Sequence, residues 1–164
     1  MWVNGIAWVL SHFSFALFIL AIIVVILQKV FFARDTKISE GLYSWVTLLP
    51  LGIGSLYSFV MHAFFPDFTA AVIGWPNSPF QYEVAMANLG FGLVALSAFH
   101  ASFGFRLANV IGITCWLWGD AIGHVYQIIT QHNFTAGNSG SWFWMDITCP
   151  LVLIICIFRL RKNA

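Results

Sequence analysis

Charge is what this sequence has least of: seven Lys and Arg and six Asp and Glu in 164 residues, 8% of the chain. A soluble domain covers its surface with roughly a quarter charged residues, so a soluble enzyme, a nucleic-acid binder and a disordered tail are all excluded. Cysteine is also sparse. Cys115, Cys149 and Cys156 lie in apolar stretches without paired spacing, which excludes a disulfide framework and a zinc ribbon and leaves them as small buried hydrophobes. No basic residue precedes the first apolar run, whereas Lys29, Arg34 and Lys37 follow it. A cleaved secretory signal has the opposite order, so a retained helix is expected. Internal repeats and low-complexity tracts are absent.

What is present is apolar: 60% hydrophobic and 18% aromatic residues. A helix needs about 20 mostly apolar residues to cross a bilayer, and residues 5–28, 42–65, 80–103, 107–130 and 141–160 each qualify. The expected fold is an all-α polytopic bundle of five spans forming a single domain over 1–164. Short connectors separate the spans, including a tight corner at 104–106. Residues 66–75, opened by Pro66 and Asp67, read as an interfacial helix.

Every Lys and Arg falls in the first connector, in the third at Arg106, or at the C-terminal end with Arg159, Arg161 and Lys162. The positive-inside rule then puts the N-terminus outside and the C-terminus in the cytoplasm, as an odd number of spans requires. Aromatic belts agree, with Trp2, Trp75, Tyr82, Trp142 and Trp144 outside and Phe31, Phe32, Tyr43, Trp45, Phe103 and Phe105 inside. The implied location is the cytoplasmic membrane of a bacterium or archaeon. Asn133-Phe134-Thr135 is formally a glycosylation acceptor on the outer side.

Ionisable groups inside a span are costly and face the bundle interior. On the fourth span Trp116, Asp120, His124, Gln127 and Gln131 recur at spacings of three and four and share one face. Glu83 and Asp146 sit about one turn inside the third and fifth spans, and His12 and His62 fall at the same outer level. Dipole-favoured acids at helix starts, and a self-satisfied Asp120–His124 pair, are the plainer readings. Small residues, including Gly119 and Gly123 on the fourth span and Gly90 on the third, suggest that these spans pack together and bring Glu83 toward Asp120 and His124.

From Gly74 the chain reads GWPNSPFQYEVAMANLGFG, followed by GDAIGH from Gly119 and by AGNSG before Asp146. This second half resembles a family of small, uncharacterised prokaryotic integral membrane proteins marked by GW-x-x-SPFQ-x-E-V, NLG, GDA-x-GH and a GN-x-G loop before an Asp. The resemblance singles out Ser78, Pro79, Gln81, Glu83, Asn88, Asp120, His124, Asn138 and Asp146, and implies no reaction. A fold-level similarity, on size and helix pattern, is to the DoxX-like group, some members of which are linked to respiratory quinone chemistry.

One functional reading is a divalent metal ion, of the Mn, Fe or Zn kind, held by Glu83, Asp120, His124 and Asp146, with Asn88, Gln81, Gln127 and Asn138 supporting them. The same groups could instead hold a small polar ligand or relay protons in transport or sensing. A redox protein would use His12, His62 or His124 on haem, or a quinone pocket lined by Trp116, Trp118 and Tyr126, although no haem-attachment motif exists. In a structural subunit the polar slab would be interhelical glue. The bilayer is the expected partner, nucleic acid is not, and a homo-oligomer is left open.

Overall fold

A computed structural model describes residues 11–32 and 37–161. The first residues of the first expected span lie outside the described residues, as do Trp2, Arg34 and Lys162. All regular structure among the described residues is helical. Helix α1 runs Phe13–Phe32, α2 Ile38–Phe64, α3 Pro66–Ile73, α4 Phe80–Ala98, α5 Phe103–Gln131 and α6 Ala136–Arg161 with a break at Gly140. The apolar runs of the sequence thus reappear as helices, and 66–75 contributes the short α3. Helices α1, α2 and α6 are long and apolar enough to cross a membrane, which makes this a helical membrane protein.

Local chemistry sets the element ends. Helix α2 passes through Pro50 by widening into π-type winding over Thr47–Ile53. Proline lacks an N–H and its ring clashes with the carbonyl four residues back, so an undistorted α-helix cannot continue there. Helix α3 starts on Pro66 with Asp67 in its first turn, the positions where a missing N–H and a negative charge suit a helix start. It stops at Gly74, whose φ of 77° only glycine adopts freely, while Gly74 N–H and Trp75 N–H both donate to Ala70 O. The corner expected at 104–106 falls instead inside the first turn of α5. Ser102, extended at φ −60° and ψ 157°, is the residue that starts the helix, so the turn lies just before it.

The core gathers Tyr43, Val46, Val110, Ile113, Cys149 and Leu153 from α2, α5 and α6. Cys149 and Cys156 are buried as expected, but Cys115 is exposed. Exposed apolar side chains such as Ile23, Ile122, Ile129 and Phe158 cover the outside, the polarity expected of a surface facing lipid. Helix α4 packs on α2, where a Cβ at Gly92 would meet Gly52 O at 3.3 Å, and α5 packs mainly on α6. The expected α4–α5 seam is therefore corrected. A methyl group added at Gly90 or Gly119 would meet nothing within 4 Å among the described residues; the two helices meet instead at Phe91, which stacks on Trp116 at 5.8 Å and lies 3.2 Å from where a Cβ at Gly112 would be. A stripe of small residues marks where a neighbour can approach without specifying which helix does so.

Candidate functional site

Asn138, 0% exposed, sits in the short turn Ala136–Ser139 that opens α6. That turn is held against the end of α3 because Gly137 has no side chain: a Cβ there would lie 2.8 Å from Val72 O. The Asn138 amide uses its whole hydrogen-bonding capacity. Its Nδ2 donates to Asn133 O at 2.9 Å and His124 O at 3.3 Å, and its Oδ1 accepts from Trp75 Nε1 at 3.0 Å and contacts His124 Nδ1 at 2.8 Å.

These bonds fix the state of His124. Two carbonyls orient the amide nitrogen, and the indole N–H is a donor only, so the oxygen faces both Trp75 and His124. An acceptor there requires hydrogen on His124 Nδ1. The neutral ring therefore carries its lone pair on Nε2, which lies 3.8 Å from Asp146 Oδ2, with the His124 and Asp146 side chains 11% and 15% exposed. Trp75 covers the imidazole at 5.5 Å between ring centroids and Phe143 meets it edge-on at 6.3 Å. Asp120, partly buried one turn before His124 on α5, is within Coulombic range of Asp146.

The sequence-expected residues divide accordingly. His124, Asn138 and Asp146 come together, Asp120 lies within Coulombic range of Asp146, and Gln127 continues the same face of α5 half-buried. Glu83 does not join them; it is exposed on α4, following from the loss of the α4–α5 seam. Asn88 is buried, with its amide donating to Val84 O at 3.0 Å in its own helix. His12 Nδ1 contacts Ser141 Oγ at 2.9 Å. His62 Nδ1 meets Gln81 Oε1 at 2.5 Å, beside a cleft of about 370 Å³ that Asn77, Ser78, Pro79 and Tyr82 also line. The GW-to-SPFQ stretch thus serves two places, Trp75 the α5–α6 network and Ser78, Pro79 and Gln81 the cleft. The metal reading loses its geometry: among the described residues no three His, Cys, Asp or Glu side chains group closely enough to hold an ion. The self-satisfied Asp120–His124 pair is not formed either, since the imidazole turns to Asn138 and Asp146.

Three features go beyond what the sequence suggests. Trp75 reads there only as an interfacial aromatic, whereas its indole N–H is a site partner. Asn133 spends its side-chain amide on Ile73 O at 2.9 Å and accepts from Thr135 N–H at 3.1 Å, so this nominal acceptor tripeptide is structural. Glu40 and Arg106, of which the sequence marks only Arg106, for topology, form an ion pair of 2.7 and 2.9 Å, with the guanidinium 4.9 Å above the Tyr43 ring. Opposite charges flanking Tyr43 in an otherwise apolar chain are the available signal.

Compared with known proteins, residues 11–164 match a family of unknown function, DUF6790, and the chain belongs to that family. No curated protein and no solved structure matches it.

Proposed function

We propose that this member of the family of unknown function DUF6790 crosses a prokaryotic cytoplasmic membrane five times, N-terminus outside and C-terminus inside, and uses Asp120, His124 and Asp146 to take up and release a proton in its outer half. The activity is proton relay, or transport of a small polar species coupled to it. The complete Lys and Arg asymmetry supports the topology. Helix α5 supports a spanning role despite its polar face: it is 29 residues long, and Ile111, Ile122, Val125 and Ile129 are exposed on its other sides.

The observation that carries the proton reading is the pairing of a tautomer-fixed imidazole with a buried carboxylate, Nε2 facing Asp146 Oδ2 at 3.8 Å. When the pair gains one proton, it resides on Oδ2 or Nε2 and the pair is net neutral; when it loses that proton, a carboxylate and a neutral imidazole remain. The distance exceeds a hydrogen bond, so transfer needs a small approach or one bridging water. Asp120 supplies a second proton acceptor one helical turn away.

The test is proton flux in liposomes containing the purified protein and a trapped pH dye, driven by a potassium diffusion potential. Wild-type vesicles should change internal pH faster than protein-free ones, and Asp146→Asn and His124→Phe should remove the difference. Flux that is undiminished in both variants, or wild-type vesicles no faster than empty ones, overturns the proposal.

A further inference from the structure

In the first turns of α5, well before Asp120, Arg106 and Asn109 meet Thr47 of α2 around the Tyr43 side chain; these residues are 9%, 3%, 0% and 0% exposed respectively. Much of their polar capacity is used. Arg106 Nη1 serves Glu40 and Nη2 donates to Phe99 O, Tyr43 O–H donates to Arg106 O at 3.4 Å, and Asn109 Nδ2 lies 3.5 Å from Tyr43 Oη. Two atoms are left over: Arg106 Nε and Asn109 Oδ1 have no hydrogen-bond partner among the described residues, while Thr47 Oγ1 has only the Tyr43 hydroxyl to face. The first is a donor only and the second an acceptor only.

Leaving such groups unmet in a buried place is costly, and natural structures meet them with protein or with water. The mixed senses select the occupant. A cation would face the Arg106 guanidinium and an anion would face Asn109 Oδ1 and the Glu40 carboxylate, whereas a water molecule donates and accepts at once. We infer that these unmet atoms enclose a small inner chamber filled by ordered water and that the chamber is the cytoplasmic-side continuation of the proton site, an extension that rests on the function proposed above.

The face of α5 supports the continuation. Arg106, Asn109, Ile113, Trp116, Asp120 and His124 follow at spacings of three and four and share one side of the helix. Trp116 Nε1 is a further buried donor without a partner among the described residues. Ile113, 0% exposed, is the apolar residue interrupting this stripe. It separates the outer carboxylate site from the water chamber, and the partly exposed Glu40 carboxylate, 35% by side chain, is the inner terminus where a proton meets the cytoplasm.

Hydroxyl-radical footprinting by X-ray radiolysis of the full-length protein in nanodiscs tests the chamber without any flux measurement, because radicals formed from bound water label the side chains next to it. Tyr43 should label readily although it is fully buried, and Cys149, intrinsically more reactive and only 1% exposed, should not. Thr47→Val combined with Asn109→Leu should abolish Tyr43 labelling with Cys149 still protected, which shows the fold intact. Tyr43 as inert as Cys149 in the wild type overturns the chamber. In the liposome assay the same double variant should lose flux and Ile113→Ser should raise passive proton leak. A labelled Tyr43 with full flux in the double variant overturns the chamber's place in the path while the outer site stands. Absence of flux in the wild type overturns the outer site, and Tyr43 labelling still decides the chamber.

Discussion

Asn138 Oδ1 lies 2.8 Å from His124 Nδ1, and the same oxygen accepts the Trp75 indole N–H at 3.0 Å. The α3–α4 connector, α5 and the start of α6 are thus joined through one side-chain amide, which also decides which imidazole nitrogen faces Asp146. Architecture and chemistry share a single residue here.

Asn138→Leu keeps the volume but strips all partners, leaving the Trp75 indole, the His124 ring N–H and two carbonyls unmatched. At about 1–3 kcal/mol for each buried group left unsatisfied, the variant should melt in detergent roughly 10 °C or more below wild type or fail to fold. A melting temperature equal to the wild type's would mean that the amide is not the organising partner. Asn138→Asp should also destabilise, because it aims carboxylate oxygen at the carbonyls of His124 and Asn133.

Glycine substitutions should separate tight from open packing. Gly137→Ala drives a methyl to within 2.8 Å of Val72 O, whereas Gly119→Ala points one into space with nothing within 4 Å. The first should lower the melting temperature by several degrees. The second should be neutral or slightly stabilising, since alanine has the better helix propensity by about 1 kcal/mol. Thermal unfolding followed by tryptophan fluorescence measures both, and the reverse order would restore the seam that the sequence suggests.

How much of this is legible in the sequence depends on the kind of signal. Helix α5 and its polar face are plain from the spacing of Asp120, His124 and Gln127, because helical periodicity is local. The partner of that face is not. Gly119 and Gly123 resemble a packing motif as closely as Gly52 and Gly92 do, yet only the latter pair meets a backbone, since neighbours are set by the whole bundle. Glu83 and Asp146 each read as one turn inside a span, yet Glu83 is exposed on α4 while Asp146 faces His124 from α6. Trp75 has a sufficient explanation at the membrane interface, which hides the separate role of its indole N–H. The glycine at 104 suggests a corner there, yet Ser102, a favourable helix-start residue, opens α5 two residues earlier.

The Arg106–Glu40 pair should be worth more than an ordinary surface pair, because the arginine side chain is 11% exposed and stacks on Tyr43. Glu40 is 35% exposed, which screens the interaction and brings the expected cost of Glu40→Gln to about 1–2 kcal/mol. A double-mutant cycle with Arg106→Gln isolates the coupling. A coupling indistinguishable from zero would show that the cation–π and backbone contacts hold Arg106 unaided.

Topology has a direct check in single cysteines placed at Lys37 and Ser139 on a background lacking Cys115, Cys149 and Cys156. In intact cells a membrane-impermeant maleimide should modify the Ser139 position and reach the Lys37 position only after permeabilisation. Modification of both from outside would break the five-span arrangement.

The central claim is that His124 and Asp146 hold an exchangeable proton between them, and pH-difference infrared spectroscopy reads it most directly. Wild-type protein should show a protonated-carboxyl C=O band that appears and disappears reversibly with pH alongside imidazole ring modes; Asp146→Asn should abolish that band, and His124→Phe should shift the pH at which it titrates. A carboxyl band unchanged in Asp146→Asn, or one in His124→Phe that titrates as in the wild type, would contradict the account.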